Sequence, residues 1–291
     1  MELRQMFCEL RSYGVKTNVL RVMWVRSFYF FIFLSFYLFN VSCSHISEDE
    51  QLIYVEPATP EPDINTPQTV ARTVLLEDFT GQRCANCPKG TEVIEQLMEV
   101  YGDNIVAVGI HGGDLGFKGT ATIVGLATDM AEEYYTHWSI PYQPVGLVDR
   151  HGLVNYPDWA KVVAEELAVP SPLKMEAEAV TEGGQIAVTV SAECLDGDIT
   201  GKLQVWVVED GITAIQTMPD GKNNKEYVHN HVFRTAVNGT WGEDFSLAKG
   251  ATKTTHYAQP LDPSWNPERL SIVAFVYNDQ GVVQATINNK R

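Results

Sequence analysis

Basic residues are scarce in this chain: 21 Lys and Arg stand against 37 Asp and Glu in 291 residues, a formal net charge of −16. So acidic a surface repels a phosphate backbone, which excludes nucleic acid as a partner. Long apolar runs are also lacking, since the longest, Phe28 to Phe39, falls short of the roughly 20 residues that a membrane-spanning helix needs. No internal repeat is evident, and no second Cys-x-x-Cys accompanies the one at Cys84 and Cys87. A structural zinc site usually draws on two such pairs, so metal is not the expected use of these thiols. Covalent c-type haem needs His directly after the second Cys, where Pro88 stands, and no cofactor is expected.

What is present is the tetrapeptide Cys84-Ala85-Asn86-Cys87, set between the apolar run Thr73 to Phe79 and a helical pattern from Pro88 to Tyr101. The first run is rich in Val, Leu and Phe, as a buried parallel strand is. In the second, Val93, Ile94, Leu97, Met98 and Tyr101 recur on one helical face. Cys84 therefore falls near a helix N-terminus, where unpaired N–H groups and the macrodipole favour thiolate over thiol. Cys87, almost a turn later, is placed to resolve a mixed disulfide. On this reading Cys84 is the more exposed and more acidic thiol. Disulfide exchange and an inert structural disulfide both fit the spacing.

The stretch Asp78-Phe79-Thr80-Gly81-Gln82-Arg83-Cys84 resembles thioredoxin, which carries a buried Asp six residues before its first active Cys. The resemblance implies that Asp78 moves the proton of the resolving thiol, a task that needs a carboxyl raised by desolvation. Thr80 and Arg83 depart from the tryptophans of thioredoxin, and Ala85-Asn86 replaces Gly-Pro. A second element lies in Trp138 to Arg150, where Pro144 directly precedes an apolar strand as the cis-proline of that family does. The resemblance then assigns substrate binding to Gln143 and Pro144, with the backbone N–H and C=O of Gln143 offered to an extended segment of a protein thiol or disulfide. Asn104 to Ile110 reads as a further buried strand, which puts His111 and Asp114 on the rim near Cys84. Leu126 to Trp138 and Tyr156 to Ala168 read as helices, and between Arg150 and the second of these only Gly152-Leu153-Val154 can serve as a strand.

Arg4, Arg11, Lys16, Arg21 and Arg26 precede the Phe28 to Phe39 run, the pattern of a secretory signal. Asn40-Val41-Ser42-Cys43 resembles a bacterial lipoprotein signal, which implies that Cys43 carries the lipid by which the chain holds the membrane. Met23 to Arg26 would itself make a compact signal start. Residues 1–42 are thus the expected signal peptide, and residues 43–70, acidic and Pro-rich, an extended tether. Export puts the remainder where disulfides persist.

After Pro170-Ser171-Pro172 the period changes from helical to alternating. Ile186, Val188, Val190 and Ala192 alternate, as do Leu203, Val205 and Val207, and Gly-rich turns separate such runs. The expected fold class is an α/β thioredoxin-like domain at residues 71–169 followed by an all-β immunoglobulin-like sandwich at residues 173–288. Cys194 reads as a buried apolar thiol. His229 and His231 share one side of an expected strand but lack a third ligand, so packing or solvation is their expected role. The arrangement, with Val207 to Ile212 and Tyr227 to Arg234, resembles the 28-kDa outer-membrane protein family, which implies a cell-envelope lipoprotein. Two functions are open: a membrane-tethered thiol-disulfide oxidoreductase in which Cys84 attacks, Cys87 resolves and Asp78 accepts the proton, or a binding module on a thioredoxin-like scaffold whose disulfide is inert.

Overall fold

The computed structural model describes residues 67–288. The expected signal peptide, Cys43 and most of the tether lie outside the described residues. The first half runs β1 (Val74–Thr80), α1 (Cys87–Tyr101), β2 (Ile105–His111), α2 (Asp129–His137), β3 (Val145–Val148), β4 (Leu153–Asn155) and α3 (Trp159–Leu167). Strands β5 (Leu173–Glu182), β6 (Gln185–Cys194), β7 (Ile199–Glu209), β8 (Ile212–Thr217), β9 (Asn223–His229), β10 (Val232–Ala236), β11 (Glu243–Leu247), β12 (Thr252–Pro260), β13 (Leu270–Asn278) and β14 (Gly281–Ile287) follow. Among the described residues no helix is long and apolar enough to cross a membrane.

Strand β1 is buried along its whole length, its apolar residues Val74, Leu75, Leu76 and Phe79 together with the polar Glu77, Asp78 and Thr80. It pairs parallel with β2 and antiparallel with β3, and β3 turns back into the short β4. Ile94 and Leu97 of α1 and Trp159 and Val163 of α3 cover one face of these strands, against Val74, Leu76, Ala107 and Val148. On the opposite face Ala131, Tyr134 and Tyr135 of α2 pack on Phe79, Val108 and Ile110. Thr128 caps α2 through its hydroxyl, which accepts from the Ala131 N–H at 3.0 Å.

The sheet does not stop at β2. It continues through β10, β7, β13 and β14, with β11 also on β7, into a nine-stranded sheet that contains both halves of the chain. The junction is a single parallel register point, Val232 opposite Gly109, where the Gly109 N–H donates to the His231 carbonyl at 2.7 Å. Strand β7 is buried on both faces. Leu203, Val205 and Val207 meet Ile186, Val188 and Val190 of the three-stranded sheet β12-β6-β5, while Trp206 and Val208 join the aromatic cluster of Tyr134, Phe233 and Phe275. The second half is therefore a β-sandwich whose larger sheet also carries the α/β elements, and the described chain is mostly β. Residues from both halves form one core, so the described residues make a single compact unit. Strands β8 and β9 stand apart as a two-stranded hairpin.

Candidate functional site

Strand β1 delivers Asp78 and Thr80 to the end of the sheet, the turn Gly81 to Asn86 follows, and Pro88 opens α1. Cys84 and Cys87 are joined in a disulfide, with Cα atoms 5.4 Å apart. The Cys87 N–H donates to Cys84 Sγ at 3.1 Å. Gly81 is required by close approach, because a Cβ there would lie 2.4 Å from the Leu115 carbonyl oxygen. Arg83 projects outward with its guanidinium over the Phe117 ring.

Cys84 is not the exposed thiol that its position in the sequence implies: both cysteines are 2% exposed. The cause is the β8–β9 hairpin, which comes from the second half and closes over the turn. Gln216 donates from Nε2 to the Cys84 carbonyl at 2.8 Å and the Gly81 carbonyl at 3.3 Å, and the Thr217 N–H donates to the Gln82 carbonyl at 2.8 Å. Gln82 answers, donating to the carbonyls of Ile215 and Val124 and accepting from the Leu126 N–H. Gln82 and Gln216 are fully committed buried amides that sequence reading missed. The only local signal is a Gln at an inward position of an alternating strand, Ala214 and Gln216 in β8.

Asp78 is also buried, and its Oδ1 has no hydrogen-bond partner among the described residues. Burial pushes its carboxyl up to about 8. It lines a cavity of about 30 Å³ together with Cys87, His111, Tyr227 and His229, room for a water or two. His111 Nδ1 and His229 Nε2 are likewise buried without partners, and the two rings meet edge to face at 5.3 Å. Burial holds both imidazoles below their ordinary range, His229 down to about 4, and for His111 the neighbouring His229 and Arg234 push the same way.

The pairing of His229 corrects the sequence reading. His229 ends β9, and His231 lies in the turn to β10 with a left-handed φ of 57°, so the two do not share a strand face. His231 Nδ1 instead faces Asp210 at 3.1 Å. Asp114 is exposed, so of the rim pair only His111 is built into the site.

The Gln143–Pro144 peptide is cis. A Cβ on Gly90 of α1 would stand 3.2 Å from Pro144, so the loop packs against the helix that carries Cys87. Gln143 Nε2 donates to the carbonyls of Thr80 at 2.7 Å and Gly112 at 2.9 Å and contacts the Tyr135 hydroxyl. The structure thus gathers Asp78, Cys84, Cys87, Gln143 and Pro144 at one end of the sheet. Among the described residues no group of three or more His, Cys, Asp or Glu side chains is arranged to hold a metal ion.

A similar fold occurs in HBP35 of Porphyromonas gingivalis, with a TM-score of 0.60 and 16% identity over 76% of each chain. A domain of the outer membrane lipoprotein Omp28 from the same organism is 31% identical, covering 40% of this chain and 86% of that one, with a TM-score of 0.30. No curated protein matches. The family model of the outer membrane protein Omp28 matches residues 131–290, more than half of the sequence. The chain therefore belongs to the Omp28 outer membrane protein family, which locates it in the outer membrane.

Proposed function

We propose that this outer-membrane protein is a binding or interaction module, held to the membrane by a lipid on Cys43, in which a thioredoxin-like half serves as scaffold around an inert Cys84–Cys87 disulfide. The observation that carries this reading is the closure of the β8–β9 hairpin, which leaves each sulfur-bearing residue 2% exposed. Thiol-disulfide exchange needs a thiolate to approach one sulfur, and a buried bond offers no path. The connectivity supports the thioredoxin-like part: parallel β1 and β2, antiparallel β3 and β4, with α1 and α3 on one face and α2 on the other.

A second reading, exchange with protein thiols and disulfides, draws on one specific observation. Asp78, unpartnered and raised to about 8, is poised as an acid or base near neutral pH and shares a cavity with Cys87. The Cys87 N–H on Cys84 Sγ would in that case stabilise an attacking thiolate. Incubating the folded full chain with a glutathione buffer and counting alkylated thiols separates the two. The scaffold reading expects no alkylation of Cys84 or Cys87 without unfolding. Labelling of Cys84 at a rate close to that of an exposed thiol, together with mixed disulfides trapped by Cys87→Ser, would establish the exchange reading in its place.

A further inference from the structure

An edge strand leaves one row of backbone N–H and C=O groups unpaired, and folded chains cover or blunt such rows. Strand β14 is covered, with the Thr73 N–H on Gln284 Oε1 and Ser171 Oγ on the Val283 carbonyl. Strand β4 has only three residues, and β11 exposes Glu243 and Asp244. Strand β12 is different: its nine residues pair with β6 on one side and, among the described residues, with no strand on the other. The Cys194 N–H donates to the Ala251 carbonyl and the Leu261 N–H to the Gly184 carbonyl, each at 2.9 Å. Hydrogen-bonded pairs alternate along an antiparallel ladder, so the odd-numbered residues of β12 face β6. Thr252, Thr254, His256 and Ala258 therefore turn their N–H and C=O groups outward. The usual blunting devices are spent: the pairing runs unbroken from Thr252 to Pro260, Pro260 comes last, and Lys253 is turned inward with Nζ 5.3 Å from the Phe245 ring centroid. Strand β12 also carries no Asp or Glu in a chain of net charge −16, so along it two copies meet without the repulsion that the rest of the surface imposes.

We propose that β12 pairs antiparallel with β12 of a second copy across a two-fold axis at His256, joining the two β12-β6-β5 sheets into one continuous sheet. In this register His256 faces His256 of the second copy, Thr254 faces its Ala258, and Thr252 faces its Pro260. Every outward N–H then meets a carbonyl, and Pro260, which has no N–H, has only to accept from Thr252. The side chains at Thr254 and Ala258 are small enough to lie flat against each other. Each His256 ring leans back over its own sheet, with Nδ1 3.0 Å from Thr189 Oγ1 on β6, which leaves the axis clear. Lys253 stands opposite Gln259 of the second copy, so no like charges oppose each other along the pair. The contact uses the same strand on both sides, so it closes at two copies and hides the long edge. This inference does not depend on either reading of the function.

The test uses the full chain in detergent. Pairing puts the two His256 Cα atoms about 5.5 Å apart, within the roughly 4.4–6.8 Å that a disulfide spans, whereas the two Thr254 Cα atoms stand about 14 Å apart. Under mild oxidation His256→Cys should give a covalent dimer on a non-reducing gel, and Thr254→Cys should give no more than the wild type, which keeps the buried Cys194. Sedimentation velocity of the wild type should show a dimer whose share rises with concentration. Thr254→Pro removes an N–H that bonds nothing within one copy, so circular dichroism should show an unchanged fold while dimerisation weakens by at least about tenfold. Ala258→Pro removes the other N–H of the same pair and should act alike. A monomer at every concentration would overturn the proposal, as would a dimer that His256→Cys does not lock or that both proline variants leave unchanged.

Discussion

Arg150 and Glu77 form a two-pronged ion pair at the seam between the halves of the chain: Nε donates to Oε2 and Nη2 to Oε1, each at 2.9 Å. Both side chains are almost wholly removed from water. Glu77 belongs to β1, whereas the guanidinium lies 4.3 Å from the Tyr277 ring centroid and 4.8 Å from that of Phe275, both on β13. Removing one partner strands a buried charge. Arg150→Leu should therefore destabilise the fold by about 3–5 kcal/mol, and adding Glu77→Leu should recover most of that loss. Urea unfolding followed by Trp fluorescence measures both. A loss under 1 kcal/mol for Arg150→Leu would show that the seam does not depend on the pair.

The continuous sheet carries a consequence for dissection of the chain. A fragment of residues 70–169 keeps β1 to β4 but loses β10 from the free edge of β2, and Phe79, Tyr134 and Leu147 lose Trp206, Phe233 and Phe275. An uncovered parallel edge and a halved core do not support an independent domain. The fragment should show poorly dispersed amide resonances and aggregate, and residues 67–288 should unfold in one cooperative transition. A well-dispersed spectrum from the fragment would restore the division at residue 170 that the change of periodicity implies.

How much of this was legible depends on the range of the contacts involved. Periodicity and local chemistry place β1, α1, β2, α2 and α3 within a few residues, and the Pro before an apolar strand marks the cis bond at Pro144. Even the weak last strand at Leu153 is found. The alternating second half reads as a sandwich because its sheet faces are sorted by side-chain period. What sequence alone does not disclose is the hairpin on the disulfide, since Gln216 reaches Cys84 across 132 residues. The same long range hides the partnership of His111 with His229. Local spacing paired His229 with His231 instead, and the turn at His231 breaks that face.

Stability should depend on pH through Asp78 with a definite sign. Its carboxyl is raised to about 8 in the folded chain against an ordinary 3.8. Between those values the folded state holds the extra proton, so this group's contribution makes stability fall as pH rises, with a slope of at most about 1.4 kcal/mol per unit. Asp78→Asn keeps the shape and removes the titration. The variant should gain on the wild type from pH 4 to pH 8, and chemical denaturation across that range checks it. Parallel curves for the two proteins would mean that Asp78 is hydrated.

His229 acts in the opposite sense. Its folded value of about 4 lies below the ordinary 6.5 of an imidazole, so the unfolded chain binds the extra proton between them. Its contribution is full above pH 6.5 and is lost as pH falls toward 4. His229→Gln should remove this part of the acid sensitivity, seen as a smaller decline of the denaturation midpoint between pH 6.5 and 4.5. An unchanged decline would assign the acid loss to other groups, His111 first among them because burial lowers it in the same direction.

The hairpin itself can be loosened without touching a sulfur. Gln216 donates to the carbonyls of Cys84 and Gly81 from a buried amide, and Gln216→Ala leaves those acceptors without that donor. A lost buried hydrogen bond costs roughly 1–3 kcal/mol. If that cost falls on the closed hairpin, the open population rises by at least fivefold, since about 1.4 kcal/mol is a tenfold change. Reduction of Cys84–Cys87 by a fixed concentration of dithiothreitol, followed by thiol release, should accelerate by the same factor, and global unfolding stability should fall by the same free energy. Strand β9 is exposed over Asn223 to Glu226, so truncating the tip between β8 and β9 offers a second variant that leaves every contact to Gly81, Gln82 and Cys84 in place and should have a smaller effect. Equal reduction rates for the wild type and Gln216→Ala would place the barrier to exchange in the turn around Cys84 rather than in the hairpin that covers it.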